Sequence, residues 1–149
     1  MKSVATLSLL TIAAALASCG SSHDAPKPVI SGVFLDGAVE GLEYVAGSAA
    51  RASTGTKGEF SCFEGDTVSF HIDGIALGSA ACAATIAPLQ LAGVTDPKDP
   101  KVVNRLLALQ LLDDDSAPAN GIKLNADVKA GLSGKSIDFA AFASVSTPP

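Results

Sequence analysis

Thr67-Val68-Ser69-Phe70-His71-Ile72 decides the fold class of this chain. Val68, Phe70 and Ile72 alternate with Thr67, Ser69 and His71, the two-residue period of a strand with one face in a core and one face wet. That period puts His71 on the wet face, beside two hydroxyl residues. Turn signals bound the strand: Glu64-Gly65-Asp66 before it, and Asp73-Gly74 after it, leading into Ile75-Ala76-Leu77 with Gly78 following.

Working outward, the same reading holds over residues 29–92. Val29 to Leu35 is a β-branched and apolar run stopped by the turn dipeptide Asp36-Gly37. Ala38 to Ala46 continues as extended chain, broken by Gly41 and stopped at Gly47-Ser48. A weaker strand covers Ala50 to Ser53, Thr54 to Gly58 is a glycine-rich turn, and Glu59 to Phe63 is extended again. Thr85 to Leu91 reads as a last short strand interrupted by Pro88. Turn signals roughly every 8–12 residues predict a sandwich or small barrel.

The pattern changes near residue 94. Asp99-Pro100 is a helix start, with Asp as N-cap and Pro at the first helical position. Val102, Val103, Leu106, Leu107, Leu109, Leu111 and Leu112 follow, spread around most of the circumference, and predict a well-buried helix. Asn104, Arg105 and Gln110 are its polar relief. Asp113-Asp114-Asp115 opposes the helix dipole and ends it in an acidic loop. Ile122 to Leu124 resumes extended chain, Asn125 caps a short helix over Ala126 to Leu132 closed by Gly134, and Ile137, Phe139 and Phe142 form a final apolar patch.

The N-terminus carries a different signal. Lys2 precedes an apolar run from Val4 to Leu16, about a dozen residues against the roughly 20 a spanning helix needs. Leu16-Ala17-Ser18-Cys19 ends it, the order of a cleaved secretory leader with cysteine at the new N-terminus. The tetrapeptide resembles the lipobox of bacterial lipoproteins. That resemblance implies covalent lipid on Cys19 and, with Gly20 rather than Asp next, an outer-membrane destination. Gly20 to Pro28 reads as a linker, His23 included. The expected organisation is a leader over 1–18, a lipid-anchored linker over 19–28, a β-sandwich over 29–92, a helical extension packed on it over 93–143 and a disordered tail over 144–149.

Without residues 1–18 the 149-residue chain keeps 131, enough for one core. Lys2 leaves with the leader, so nine basic side chains face 15 acidic ones, a net charge of −6. An acidic surface without a basic cluster argues against nucleic acid. No Trp and one Tyr leave few platforms for sugar stacking. With Cys19 assigned to lipid, Cys62 and Cys82 remain in an oxidising compartment, where a disulfide is expected. Their spacing is not that of a redox pair, and no histidine sits at zinc-site spacing from them.

Three stretches carry a second resemblance: Asp36-Gly37-Ala38-Val39-Glu40-Gly41-Leu42-Glu43-Tyr44; Gly58-Glu59-Phe60 leading through Glu64 to Phe70, with Leu77-Gly78 and Ala87-Pro88-Leu89; and Val103 to Leu107 with Leu112-Asp113 and Asn120-Gly121-Ile122. Together they resemble a module of uncharacterised or adhesin-like bacterial secreted and surface proteins. The resemblance spans most of residues 32–124. It implies a prealbumin-like or carboxypeptidase-regulatory-like antiparallel β-sandwich followed by one buried helix and a short α/extended C-terminal segment. It transfers no catalytic residues.

Candidate sites are few. Asp113, Asp114, Asp115 and Asn120 offer hard oxygens to Ca²⁺, but the spacing departs from an EF-hand at Ala117 and lacks the closing bidentate Glu. Gly134-Lys135-Ser136 ends like a P-loop, yet Lys129 stands where its first glycine belongs. Two histidines, in a linker and on a wet strand face, do not build a Ser-His-Asp triad. Glu40, Glu43, Glu59 and Glu64 are too poorly supplied with aromatic subsites to read as a glycosidase pair. The sequence therefore predicts a non-enzymatic cell-envelope lipoprotein with a structural, adhesive or partner-binding role, touching membrane through its anchor and needing no cofactor beyond that lipid. The alternatives are a calcium- or small-ligand-binding lipoprotein, and an accessory domain of a secreted hydrolase.

Overall fold

The structure, a computed structural model, describes residues 26–141. The leader, Cys19, His23, Phe142 and the tail lie outside the described residues. The expected mainly β fold is what forms, with three short α-helices following the strands.

Strand β1 (Val29–Phe34) is the centre of a three-stranded sheet. It pairs antiparallel with β5 (Glu59–Phe63) and parallel with β8 (Thr85–Ile86). The second sheet is wholly antiparallel, in the order β4 (Ala52–Ser53), β3 (Glu43–Ala46), β6 (Thr67–Ile72), β7 (Ile75–Ala81). A parallel two-residue ladder joins β2 (Val39–Glu40) to β9 (Ile122–Lys123), more than 80 residues later.

The alternation in β6 is realised as expected: Val68, Phe70 and Ile72 are buried. Phe70 packs on Phe34 at 4.9 Å and on Phe60 at 5.4 Å between ring centroids, with Tyr44 at 6.1 Å. These four rings come from both larger sheets, and each such pair adds about 0.5–1.5 kcal/mol beyond area burial. Gly32 makes room for them, since a Cβ there would stand 2.3 Å from Phe60 Cζ. The Tyr44 hydroxyl also reaches across to accept from Ser61 N at 3.3 Å, occupying a donor on the outer edge of β5.

Two buried devices bind loops to this core. Thr54 donates its hydroxyl to Val39 O and accepts from Leu42 N, closing the gap that Gly41 opens between β2 and β3. The expected disulfide joins Cys62 on β5 to Cys82, just beyond β7, and so ties one large sheet to the other. At the start of the described chain, Lys27 pairs with Asp66 at 2.7 Å and Pro28 O accepts from Glu64 N. The last residues assigned to the linker are thus docked against the β5–β6 turn.

Four local expectations need correction. Thr85 to Leu91 is not one strand: after β8, Pro88 opens helix α1 (Pro88–Ala92), with Gln90 Oε1 accepting from Ala87 N at 3.0 Å. An apolar run cannot by itself separate a buried strand from a buried helical turn, and Pro at the first helical position decides it. β7 does not stop at Leu77 but runs on to Ala81, because Gly78, at φ 125°, lets α1 press onto the strand. A Cβ at Gly78 would lie 2.4 Å from Leu91 O. Helix α2 (Pro100–Leu111) starts as expected, Asp99 accepting from Lys101 N at 2.8 Å, but it is not well buried. Only Val102 and Leu109 are enclosed, because one face alone meets the rest of the fold. The last helix, α3 (Ala126–Ala130), is shorter than expected, with Asn125 accepting from Val128 N as its cap.

Candidate functional site

The exposed side of α2 is the most unusual surface of the described chain. Val103, Leu107 and Leu111 recur every four residues and so line one stripe of the helix. They are 37%, 49% and 82% exposed, a large apolar residue left almost entirely in water at the helix end. Beside the stripe a groove of about 230 Å³ runs between α2 and the segment after α3. Leu107, Ala108, Leu111 and Leu112 form one wall, Leu132 and Ile137 the other. Asn104 lies at its N-terminal end, where its amide donates to Phe139 O at 2.8 Å and holds the C-terminal segment on the helix.

One and two turns nearer the helix start, Lys101 and Arg105 enter a second cavity of about 320 Å³, with Ile137, Asp138 and Phe139 in its wall. Arg105 donates Nε to Leu77 O and Nη1 to Lys101 O, and its guanidinium carbon is 4.8 Å from the Phe139 ring centroid. Burial pushes its pKa below the usual value, against the opposing pull of Asp99. Among the described residues no carboxylate forms an ion pair with Arg105 or Lys101. Asp99 accepts from Lys101 N and Asp138 from Ala140 N, so both nearby acids serve as backbone caps.

The chain matches no protein-family model, no curated protein sequence and no solved structure.

The residues singled out from sequence fall elsewhere. Asp113 is buried and accepts from Lys123 N and Ala117 N at 3.0 and 3.2 Å. Asp115 accepts from Ala117 N at 2.9 Å, from Asn120 Nδ2 at 2.8 Å and from Lys123 Nζ at 3.3 Å. The Asn120 amide first, then the Ala117 N–H and Lys123, hold the Asp115 carboxyl below its ordinary range. Asn120 therefore meets Asp115 through its donor nitrogen, and the carboxylates are organised around protein N–H groups that seat β9. Among the described residues no three His, Cys, Asp or Glu groups gather as metal ligands.

His71 is half-buried, in register with Glu43 on β3. Desolvation, then Arg51, lower its pKa, with Glu43 acting the other way. Glu43 is itself engaged by Arg51 at 2.8 Å and by Lys129 at 3.8 Å. Glu59 accepts from Lys57 N, and such backbone bonds lower its pKa. Gly134 turns the chain after α3 with φ 72°, and Lys135 N bonds to Leu132 O, with no strand before it as a phosphate loop requires. Asp36 Oδ2 is a buried oxygen without a hydrogen-bond partner, and desolvation raises that carboxyl's pKa. No described helix is long and apolar enough to cross a membrane.

Sequence reasoning missed both the groove and the cation beside it. The four-residue spacing of Val103, Leu107 and Leu111 was visible, but it is equally the spacing of a core face.

Proposed function

We propose that this chain is a bacterial cell-envelope lipoprotein, attached by lipid on Cys19 to the outer membrane. Its prealbumin-like β-sandwich is a non-enzymatic binding module whose contact surface is the α2 groove. The observation that carries the binding role is the uncovered stripe Val103-Leu107-Leu111 beside an almost purely aliphatic groove. Exposed apolar area costs about 25 cal/mol per Å², and a contiguous patch marks an interaction surface. The anchor reading rests on Leu16-Ala17-Ser18-Cys19 behind its apolar run. A β domain held at a membrane by a tether needs no catalytic group to present such a surface.

Two measurements test this. Growth with an alkyne-bearing fatty acid should label the wild-type chain and leave Cys19→Ser unlabelled; equal labelling of both removes the anchor. An apolar fluorescent dye should brighten on the wild-type protein and lose that response in Leu107→Asp/Leu111→Asp with the melting temperature preserved. A dye response indifferent to those two substitutions places the apolar site elsewhere.

A further inference from the structure

We propose that the α2 groove and the neighbouring cationic cavity together bind one anionic amphiphile, a free single-chain fatty acid, with its carboxylate at Arg105 and Lys101 and its chain along Leu107, Leu111 and Leu132. This rests on the reading of the α2 groove as a binding surface and names its ligand class.

The two cavities are neighbours: Ile137 stands in the wall of both. Arg105, Ala108 and Leu112 follow one another at helical spacing on the same face of α2. From Arg105 to Leu111 the helix advances about 9 Å, which sets the run from head to tail.

Charge selects the head. A guanidinium has five donors and does not release its proton. Arg105 spends two of them, on the carbonyls of Leu77 and Lys101, and its remaining described partner is the neutral face of Phe139. Lys101 adds a second cation one turn away, near the positive end of the helix dipole. Both carboxylates close enough to answer them, Asp99 and Asp138, are committed to backbone N–H groups. In a chain with 15 acidic and 10 basic side chains, a partly buried pair of cations without an ion-pair partner is a place for an incoming anion. An arginine fork fits a carboxylate in two-pronged fashion.

Volume selects the tail. The groove holds about 230 Å³, roughly the space of eight water-sized groups, suited to one short chain rather than the two of a phospholipid. Its lining is aliphatic apart from Asn104, whose amide is already bonded to Phe139 O. A polar chain would find no partner there.

The test uses the full chain in phosphatidylcholine vesicles and a diazirine-bearing dodecanoic acid, with crosslinked peptides mapped by mass. The expected result is saturable labelling of the peptides carrying α2 and residues 132–137, competed by dodecanoate. The methyl ester of the probe should label at least about ten-fold more weakly, the worth of a charge-assisted hydrogen bond. Arg105→Lys should weaken labelling but also bears on folding. The exposed Lys101→Gln is therefore the deciding variant, with about a three-fold loss expected for a single partly screened charge. Equal labelling by acid and ester, or no effect of Lys101→Gln, overturns the anionic ligand and leaves the groove standing. Labelling suppressed by phosphatidylglycerol in the vesicles as strongly as by dodecanoate overturns the free fatty acid in favour of a lipid headgroup. No labelling of α2 by either probe overturns the groove reading itself.

Discussion

The guanidinium of Arg105 lies over the ring of Phe139, 4.8 Å from its centroid, and the same side chain bonds to Leu77 O on β7 and Lys101 O on α2. Three elements distant in sequence thus meet on one side chain. Replacing Arg105 by Met keeps the aliphatic stem and removes all three contacts. The expected loss is about 2–3 kcal/mol, from the cation–π contact and the charged hydrogen bonds together. Urea unfolding followed by far-UV dichroism measures it; a loss within 0.5 kcal/mol, the scatter of neutral surface changes, would show that Arg105 does not clamp the helix.

The Cys62–Cys82 bridge closes a separation of 20 residues and ties the two larger sheets. The double substitution to Ala should lower stability by about 3 kcal/mol, chiefly by freeing the unfolded chain. Reducing agent should destabilise the wild-type protein by a similar amount and leave the double variant unmoved. A double variant that still responds to reductant would contradict the bridge.

Thr54 is buried with its hydroxyl between Val39 O and Leu42 N. Thr54→Val preserves shape but strands a buried donor and a buried acceptor, at about 1–3 kcal/mol for each group left unsatisfied. Thr54→Ser should recover most of the loss because it restores the hydroxyl. Equal stability of the Val and Ser variants by thermal melting would mean that the hydroxyl contributes nothing there.

His71 has a native pKa held below its ordinary value of 6.5 by desolvation and then by Arg51, with Glu43 partly offsetting them. The unfolded chain therefore binds the proton more readily than the folded one. Stability from this residue is fully present above pH 6.5 and is lost as pH falls through the native pKa. His71→Gln should flatten the fall in stability on acidification from neutral pH. Parallel wild-type and variant curves of melting temperature against pH would refute the shift.

Much of the architecture was legible locally. β6 and its hairpin into β7 followed from alternation and Asp73-Gly74, and the start of α2 from Asp99-Pro100. Residues 85–91 misled because apolar content says only that a segment is covered, whereas Pro88 and the Gln90 cap set the helical turn. The exposure of α2 was hidden for a related reason: a helix apolar around its circumference implies cover on every side, and the partner on one side is not encoded in its own residues. The site was the least legible part. Lys101 and Arg105 read as polar relief on their helix, and their setting depends on Leu77, Phe139 and Asp138, which lie some 30 residues away on either side.

By itself the sequence determined the strand periods, the helix caps, the cysteine pair and the lipobox-like Leu16-Ala17-Ser18-Cys19, because each is set by neighbours along the chain. The tertiary structure alone decided that β9 lies beside β2, that Thr54 bridges the break at Gly41, and that α2 turns Val103, Leu107 and Leu111 to solvent beside an uncompensated Arg105. Those outcomes depend on which distant surfaces compete for the same apolar face, and that competition is resolved only when the whole core closes.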